Sequence, residues 1–156
     1  GETIKTVTVL ARGRTGALLV FERETGLNDY IETGIKVDGL VSSELLTNIF
    51  VPSSPLHDGA AIIRGNRVMA AGCILPLTED RSLDKELGTR HRAALGISEQ
   101  TDVMVVVVSE ETGVISLAQR GRLIRYLEPE ALRSYLKPLF STRNNSFSDI
   151  FNWRTS

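Results

Sequence analysis

The chain has 156 residues and carries 18 Lys and Arg against 19 Asp and Glu, so its formal net charge is −1. This balance argues against a nucleic-acid-binding surface spread over the whole domain, because domains of that class are usually basic. Hydrophobic residues at 42% and charged residues at 24% exclude a disordered chain, and no run approaches the roughly 18 apolar residues of a membrane helix, which favours one globular domain.

Hydrophobic periodicity predicts alternating helices and strands in the first half of the chain. The predicted elements are, in chain order, a helix over residues 4–11, a buried strand over 17–21, a short helix capped by Ser42 or Ser43, and a hairpin of strands 60–63 and 68–75. Residues 6–10 also alternate like a strand, which is the alternative to the first helix. The sequence Arg64-Gly-Asn-Arg67 suits the tight turn of that hairpin. The single cysteine, Cys73, fits a small buried residue of its second strand and cannot form an internal disulfide, which favours a reducing compartment.

The second half of the chain continues the alternation after a polar loop. Its predicted elements are a surface loop over residues 78–85, a helix capped by Thr89, a central strand over 103–108, a hairpin of strands 114–118 and 123–126, and a helix over 129–140. Because helices and strands interleave without a repeat, the predicted fold class is α/β, a single globular domain with a central mixed β-sheet flanked by helices. Residues 1–140 form the predicted domain, and the polar tail 141–156 either frays, packs on the domain or binds a partner.

The first sequence typical of chemistry is Thr89-Arg-His-Arg92 at a predicted helix start. Aligned peptide dipoles place about half a positive charge at a helix N-terminus, so cations there cost roughly 0.3–1 kcal/mol each. An anion removes that cost, since free backbone N–H groups, a hydroxyl and two guanidinium groups together bind phosphate strongly. The alternative is a solvated turn whose arginines pair with Asp84 or Glu86.

The second such sequence is Leu56-His-Asp-Gly-Ala60, between a Pro-Ser loop and a predicted strand. Gly59 and Ala60 would let a ligand approach the backbone closely. A carboxylate beside an imidazole can hold a divalent metal, and the imidazole shifts preference from magnesium toward manganese or cobalt. Asp58 could instead accept a proton from a hydroxyl nucleophile. An Asp-Gly pair is also a common turn, and this plain structural role remains an alternative.

The third sequence, Ser109-Glu-Glu-Thr-Gly113, directly follows the predicted central strand. Ligands of α/β sheets tend to bind beyond the carboxyl ends of strands, although such a turn is also typical of solvated surface. Phosphate-binding cations, metal-binding carboxylates and a serine at a strand end together describe a nucleoside triphosphate site. The chain has neither the Gly-x-x-x-x-Gly-Lys-Ser/Thr phosphate loop nor the Gly-x-Gly-x-x-Gly dinucleotide fingerprint.

These motifs resemble the diadenylate cyclase domain, a bacterial family that condenses two ATP into cyclic di-AMP. The resemblance runs from about Gly16 to Phe140 and depends on the pair Asp58-Gly-Ala60 and Arg90-His-Arg92. The surrounding sequence is most similar to the membrane-tethered members, which carry N-terminal transmembrane helices that this chain lacks. The resemblance therefore implies a cytoplasmic domain of a bacterial protein anchored in the cell membrane.

The resemblance also implies a role for each matching residue. Asp58 would be the catalytic carboxylate that activates the ribose 3′-hydroxyl, while Arg90 and Arg92 would stabilise the charge of the leaving pyrophosphate. The implied metal ligands are His57, Asp58 and Glu111, with manganese as the favoured ion and magnesium or cobalt as alternatives. The implied ATP-binding residues are Gly59, Ala60, Gly72, Ile74, Leu75, Thr89, Arg90, His91, Arg92, Ser109 and Glu110. Many relatives have tyrosine at the position of Ile74, so an apolar contact with adenine replaces stacking there.

The product implies a partner, since its two equivalent linkages require two ATP molecules. We therefore expect a face-to-face homodimer in which each 3′-hydroxyl lies in line with the other α-phosphate. A regulatory protein partner remains open. The rival hypothesis is a silent nucleotide-sensing module, which would not need Asp58. Nucleic-acid binding is disfavoured because basic residues concentrate only at residues 90–92.

Overall fold

The computed structural model describes residues 1–83 and 87–139, which form a seven-stranded mixed sheet with helices on both faces. The strands are β1 (Ala17–Phe21), β2 (Ile35–Leu40), β3 (Ala60–Arg64), β4 (Arg67–Cys73), β5 (Met104–Val108), β6 (Ile115–Gln119) and β7 (Arg122–Ile124). The helices are α1 (Glu2–Arg12), α2 (Asn28–Ile31), α3 (Ser43–Phe50), α4 (Thr89–Gln100) and α5, helical from residue 129 through residue 139. No helix within these ranges is long and apolar enough to cross a membrane.

The strand order across the sheet is β2-β4-β3-β1-β5-β6-β7. β1 pairs in parallel with β3, and every other neighbouring pair is antiparallel. Successive side chains of a strand point to opposite faces, so β1 supplies both cores. Leu19 packs in the core shared with α1 and α3, whereas Leu18 packs in the core shared with α4. The predicted fold class, a single α/β domain with a flanked mixed sheet, is confirmed.

Most predicted elements are confirmed with small shifts of their ends. α3 begins where expected because the Ser42 hydroxyl accepts a hydrogen bond from the Leu45 N–H at 3.0 Å. All five residues of β5 are buried, as a central strand requires. The short α2 and β2 were not predicted, because their side chains are half-buried or exposed and carry no apolar period.

Several boundaries differ from the prediction, among them the end of β7, which is Ile124 rather than residue 126. The predicted cap, Thr89, is wrong: the N-cap of α4 is Gly88, and Thr89 is the first helical residue. β4 ends at Cys73 rather than Leu75, because the Ile74 N–H donates to the Thr33 hydroxyl at 2.8 Å instead of to a neighbouring strand. Phe140, the tail 141–156 and the predicted ion-pair partners Asp84 and Glu86 lie outside the described residues.

The register places four chain segments at one end of the sheet. Ala17 of β1 pairs with Val108 of β5, and Ala60 of β3 pairs with Cys73 of β4. The segments that precede β1 and β3 and follow β4 and β5 therefore emerge together. We call this edge the site end, and the edge that carries the turns after β3 and β6 the opposite end.

Candidate functional site

The site end gathers the motifs that the sequence singled out. Residues 57–59 precede β3, residues 72–75 end β4, and residues 109–111 follow β5. β3 and β5 lie on either side of β1, so their ends are about 10 Å apart at ordinary strand spacing. The first turn of α4 reaches the turn after β5 through Arg90, whose Nη1 lies 3.6 Å from the Glu110 carboxylate.

A glycine contact joins the turn before β3 to the end of β4. Gly59 has φ +111°, and a Cβ there would lie 2.8 Å from the Gly72 carbonyl carbon and from the Cys73 carbonyl oxygen. Gly72 itself has φ +65°. Both positions need glycine, because L side chains disfavour this region and backbone fills the space. The contact fixes the exposed Asp58 beside residues 72–75.

The ring of His57 is oriented by its own turn. Its Nδ1 lies 2.7 Å from the Ser54 carbonyl oxygen, so this nitrogen carries the proton and donates it. In the neutral ring, Nε2 then has a free lone pair. A backbone carbonyl commonly holds the other ring nitrogen of a metal-ligating histidine in this way.

The donor set fits a metal that arrives with its ligand better than a preformed cage. Within residues 1–83 and 87–139, no three His, Cys, Asp or Glu side chains are already grouped to hold an ion. His57 and the exposed Asp58 supply one imidazole and one carboxylate, whereas Glu111 follows β5, on the other side of β1. Magnesium-like ions commonly bind through one or two carboxylates and complete their shell with substrate phosphates and water.

Residues 74–75 form a small platform beside Gly72. The Thr33 hydroxyl donates to the Tyr30 carbonyl at 2.6 Å and accepts from the Ile74 N–H, so α2 and its following turn hold this segment in place. The Ile74 side chain is 69% exposed and offers apolar surface, while Leu75 is buried. Sequence reasoning missed Thr33, because nothing in its local pattern indicates a contact 41 residues away.

The first turn of α4 has free donors. Gly88 is its N-cap, none of the described side chains caps it, and its first turn contains no acidic residue. The Arg92 N–H bonds to the Gly88 carbonyl, so the N–H groups of residues 89–91 precede the helical hydrogen-bond ladder. With the helix dipole, these groups favour an anion at this point.

Arg90 crosses the end of β1. A Cβ at Gly16 would lie 2.6 Å from the Arg90 guanidinium carbon, so a larger residue there would displace the guanidinium from this position. The Arg90 ion pair with Glu110 is long, at 3.6 Å, and the Glu110 side chain is 66% exposed. The sequence analysis named Gly16 only as the start of the family resemblance and missed its contact with Arg90.

His91 is buried in the first turn of α4. Burial lowers its pKa below the ordinary value, and the charges of Arg125 and Arg90 lower the pKa further. The imidazole is therefore neutral at pH 7. Its Nε2 is buried and has no hydrogen-bond partner within the described ranges.

Arg92 lies on a different side of the helix from Arg90, since two residues are separated by about 200° around the axis. Hydrogen bonds from Ser82 lower the pKa of Asp80, and the charge of Arg92 lowers it further, which places Arg92 beside the 78–83 loop. The predicted pair of phosphate-binding arginines therefore approaches the helix start from two directions.

Ser109 begins the turn after β5. Its Oγ accepts hydrogen bonds from the N–H groups of Glu111 at 3.2 Å and Thr112 at 3.3 Å, which leaves its hydroxyl proton free to donate. Glu110 and Glu111 are exposed beside it. This turn thus offers one hydroxyl donor and two carboxylates at the site end.

Comparison with known proteins identifies relatives of this arrangement. The family model described as "DAC: DisA bacterial checkpoint controller nucleotide-binding" matches residues 4–123. Cyclic di-AMP synthase CdaA of Bacillus subtilis is 54% identical over 152 residues, which cover 96% of this chain and 55% of that protein. A diadenylate cyclase of Listeria monocytogenes is 50% identical over 151 residues, with coverage of 96% and 55%. The chain spans about half the length of these curated relatives.

Two solved structures share the fold. A crystal structure of DacA from Staphylococcus aureus matches with a TM-score of 0.85 and 52% identity, covering 86% of this chain and 89% of that one. A structure described as a hypothetical membrane spanning protein from Bacillus cereus matches with a TM-score of 0.78 and 43% identity, covering 81% and 62%. The resemblance stated from the motifs is confirmed by sequence and structure alike.

Proposed function

Because this chain belongs to the DAC family of nucleotide-binding domains, we propose that it is the catalytic domain of a diadenylate cyclase, which converts two ATP into cyclic di-AMP and two pyrophosphates. The observation that carries the proposal is the meeting at one sheet end of an exposed carboxylate, Asp58, with a helix start that carries Arg90. A base and an anion site are the two elements that this reaction requires. The high identity to relatives named cyclic di-AMP synthase and diadenylate cyclase supports the same activity.

The chemistry assigns different work to the two elements. Asp58 accepts the proton of the ribose 3′-hydroxyl while that oxygen forms a bond to the α-phosphorus of the other ATP. The bond from that phosphorus to the bridging α–β oxygen breaks, and pyrophosphate leaves. Arg90, Arg92 and the N–H groups of the α4 start stabilise the growing charge of the leaving group. The Ser109 hydroxyl donates a hydrogen bond to the terminal phosphate.

We propose that a divalent metal accompanies the triphosphate, with manganese favoured and magnesium or cobalt as alternatives. The oriented Nε2 of His57 and the exposed Asp58 would hold it, and Glu111 would complete the protein ligands. The ion would neutralise phosphate charge and polarise the α-phosphate for attack. The donor chemistry supports this, since an imidazole added to oxygen ligands suits manganese and cobalt.

In this proposal, adenine and the phosphates of ATP bind on opposite sides of the Gly59–Gly72 contact. Adenine lies over the exposed Ile74 and forms hydrogen bonds with the Leu75 backbone. Gly59, Ala60 and Gly72 line the nucleotide-binding site. The observation that supports it is the fixed 74–75 segment, which Thr33 clamps next to Asp58.

One chain holds one ATP in this proposal, so ring closure requires two chains related by a two-fold axis. The two 3′-hydroxyls then attack the two α-phosphates in equivalent steps. We also propose that the chain is the enzymatic part of a membrane-anchored protein, supported by its likeness to a structure described as membrane spanning. A role of residues 141–156 in binding a regulatory partner stays a prediction.

The proposed activity is tested by incubating the protein with ATP and manganese and identifying the product by mass spectrometry. We expect cyclic di-AMP and pyrophosphate in a ratio of one to two. Formation of ADP or AMP alone would contradict the proposal, as would binding of ATP without any turnover.

The dimer is tested by dilution. The rate should rise more steeply than linearly with enzyme concentration in the dilute range, because two chains must meet. Mixed dimers of the wild type and Asp58→Asn should release linear triphosphate-ended diadenylate, since only one hydroxyl is activated. A strictly linear rate down to nanomolar enzyme, with no linear product, would overturn the two-chain mechanism.

A further inference from the structure

Arg125 comes to the site end through the path of β7. Ile124, the last residue of β7, pairs with Leu117 of β6, and the Leu127 N–H donates to the Ile115 carbonyl at 2.9 Å. Ile115 in turn pairs with Val108, the residue before the Ser109 turn. Arg125 therefore lies on the same edge as that turn, two strands from β5, or about 10 Å at ordinary strand spacing.

The side chain of Arg125 lies near the first turn of α4. This helix packs against β7 as well as against β5 and β6. Arg125 is one of the two charges that lower the pKa of the buried His91, and Arg90 is the other. Two guanidinium groups thus act on one buried imidazole in the phosphate-binding motif.

The nitrogens of this cluster lack acceptors. Nε of Arg125, Nε of Arg90 and Nε2 of His91 are all buried without a hydrogen-bond partner within residues 1–83 and 87–139. Arg125 also forms no ion pair with any residue of these ranges. A buried donor without an acceptor has lost its hydration and gained no bond in return, so two of them beside a helix N-terminus indicate that an anion supplies the acceptors.

Tyr126 holds the arginine at a cost to the backbone. The Arg125 guanidinium carbon lies 4.9 Å from the centre of the Tyr126 ring, within range of a cation–π contact. Tyr126 has φ +60°, a left-handed conformation that residues with a Cβ disfavour. Its ring is 69% exposed, so burial of the ring does not account for this conformation.

From these contacts we propose that Arg125 is a third guanidinium of the triphosphate site, which donates hydrogen bonds to the β- and γ-phosphates of ATP and to the departing pyrophosphate. The inference rests on the proposed function. No proton is transferred, because arginine stays charged and its N–H groups only stabilise the oxygens that gain charge when the α–β bond breaks. Arg90 binds the phosphates from the side of β1, and Arg125 binds them from the side of β7.

The test compares ATP with AMP, which lacks the two phosphates in question. The variants are Arg125→Ala, the charge-retaining Arg125→Lys, and the matched Arg122→Ala, which removes an exposed arginine at the other end of the same strand. Affinity is measured by calorimetry with an ATP analogue that resists cleavage between the α- and β-phosphates, and with AMP. KM and kcat for cyclic di-AMP formation and the thermal midpoint are measured on the same proteins.

We expect Arg125→Ala to weaken binding of the ATP analogue on the order of tenfold or more and to leave AMP affinity within about twofold. Arg125→Lys should lose less affinity than Arg125→Ala, because lysine keeps the positive charge but lacks the planar guanidinium with its several donors. Arg122→Ala should match the wild type. Equal losses for both ligands would assign Arg125 to structure alone, and unchanged affinities would remove it from the site. Either result overturns the inference, whereas a wild type that makes no cyclic di-AMP would overturn only the proposed function.

Discussion

The two ends of the sheet use the same charged residue types in opposite ways. At the opposite end, Arg64 donates to both oxygens of the Glu22 carboxylate at 2.6 and 3.0 Å, and Asp102 accepts the N–H groups of Glu24 and Thr25 at 3.0 and 3.1 Å. At the site end, the recorded ion pair between Arg90 and Glu110 measures 3.6 Å.

This difference separates charges that stabilise the fold from charges that await a ligand. Glu22, Arg64 and Asp102 at the opposite end have their partners within the chain, so removal of these groups should cost stability. The site end leaves a helix start without a described side-chain cap and leaves buried nitrogens without acceptors among the described residues. Removal of a cation there should cost function and leave the fold intact.

The largest expected effect is on turnover, and it comes from Asp58→Asn. The amide cannot accept the hydroxyl proton, so we expect kcat to fall by about 10²–10⁴-fold, in the range of general-base catalysis. Because Asp58 is exposed, the thermal midpoint should change little. ATP should still bind through Arg90 and the α4 start, with a loss of affinity much smaller than the loss of turnover. Initial rates and calorimetric ATP titrations measure the two quantities separately.

Asp38→Asn is the matched control at the opposite end. Asp38 pairs with Arg67 at 2.8 Å and has φ +49°, a conformation that asparagine adopts readily. Its turnover should equal that of the wild type. If Asp58→Asn retained wild-type turnover, or if both variants lost it equally, the assignment of the base would be wrong.

A smaller but still large effect is expected from Gly59→Ala. The added methyl group would meet the backbone of Gly72 and Cys73 at 2.8 Å, and φ +111° adds strain, so we expect a loss of about 1–3 kcal/mol in the free energy of unfolding and a large loss of activity. Gly26→Ala at the opposite end meets no atom within 4 Å and should be nearly neutral. Urea unfolding that shows equal stability for both variants would contradict the close contact at the site end.

The smallest expected effect is on the pH dependence of stability. The pKa of His91 is lowered in the folded protein, so the unfolded chain binds a proton there first as the pH falls. The neutral His91 therefore contributes to the free energy of unfolding. This contribution is complete above the ordinary pKa of about 6.5, and it declines below that pH by at most about 1.4 kcal/mol per pH unit. Between pH 7.5 and 5.5, the wild type should therefore lose more stability than His91→Gln. Parallel losses in urea unfolding would show that His91 is not held neutral.

The sequence predicted the elements that local chemistry determines. The apolar run of β5 and the serine cap of α3 each depend on a few neighbouring residues, and both predictions were confirmed. β2 escaped prediction because it is an edge strand without an apolar period, stabilised by pairing with β4. The cap of α4 was misplaced by one residue, because glycine and threonine are both acceptable caps and only the backbone conformation separates them.

The site was predictable as motifs but not as an arrangement. Asp58 and Arg90 were identified from their neighbours in the chain, whereas Gly16, Thr33 and Arg125 reach the site only through strand pairing and helix packing. The sequence also did not predict that Arg90 and Arg92 lie on different sides of the α4 start, since that depends on where the helix begins and how it packs. Long-range contacts of this kind leave no local signal.

The most direct test of the two-ended account measures unfolding of Arg90→Ala and Arg64→Ala with and without ATP. Without ATP, Arg64→Ala should lose about 1–3 kcal/mol because it leaves the Glu22 carboxylate without its partner, whereas Arg90→Ala should equal the wild type. With ATP, Arg64→Ala should gain the full stabilisation by ligand and Arg90→Ala only a small part of it. An Arg90→Ala protein that is destabilised without ATP yet stabilised fully by it would contradict the account.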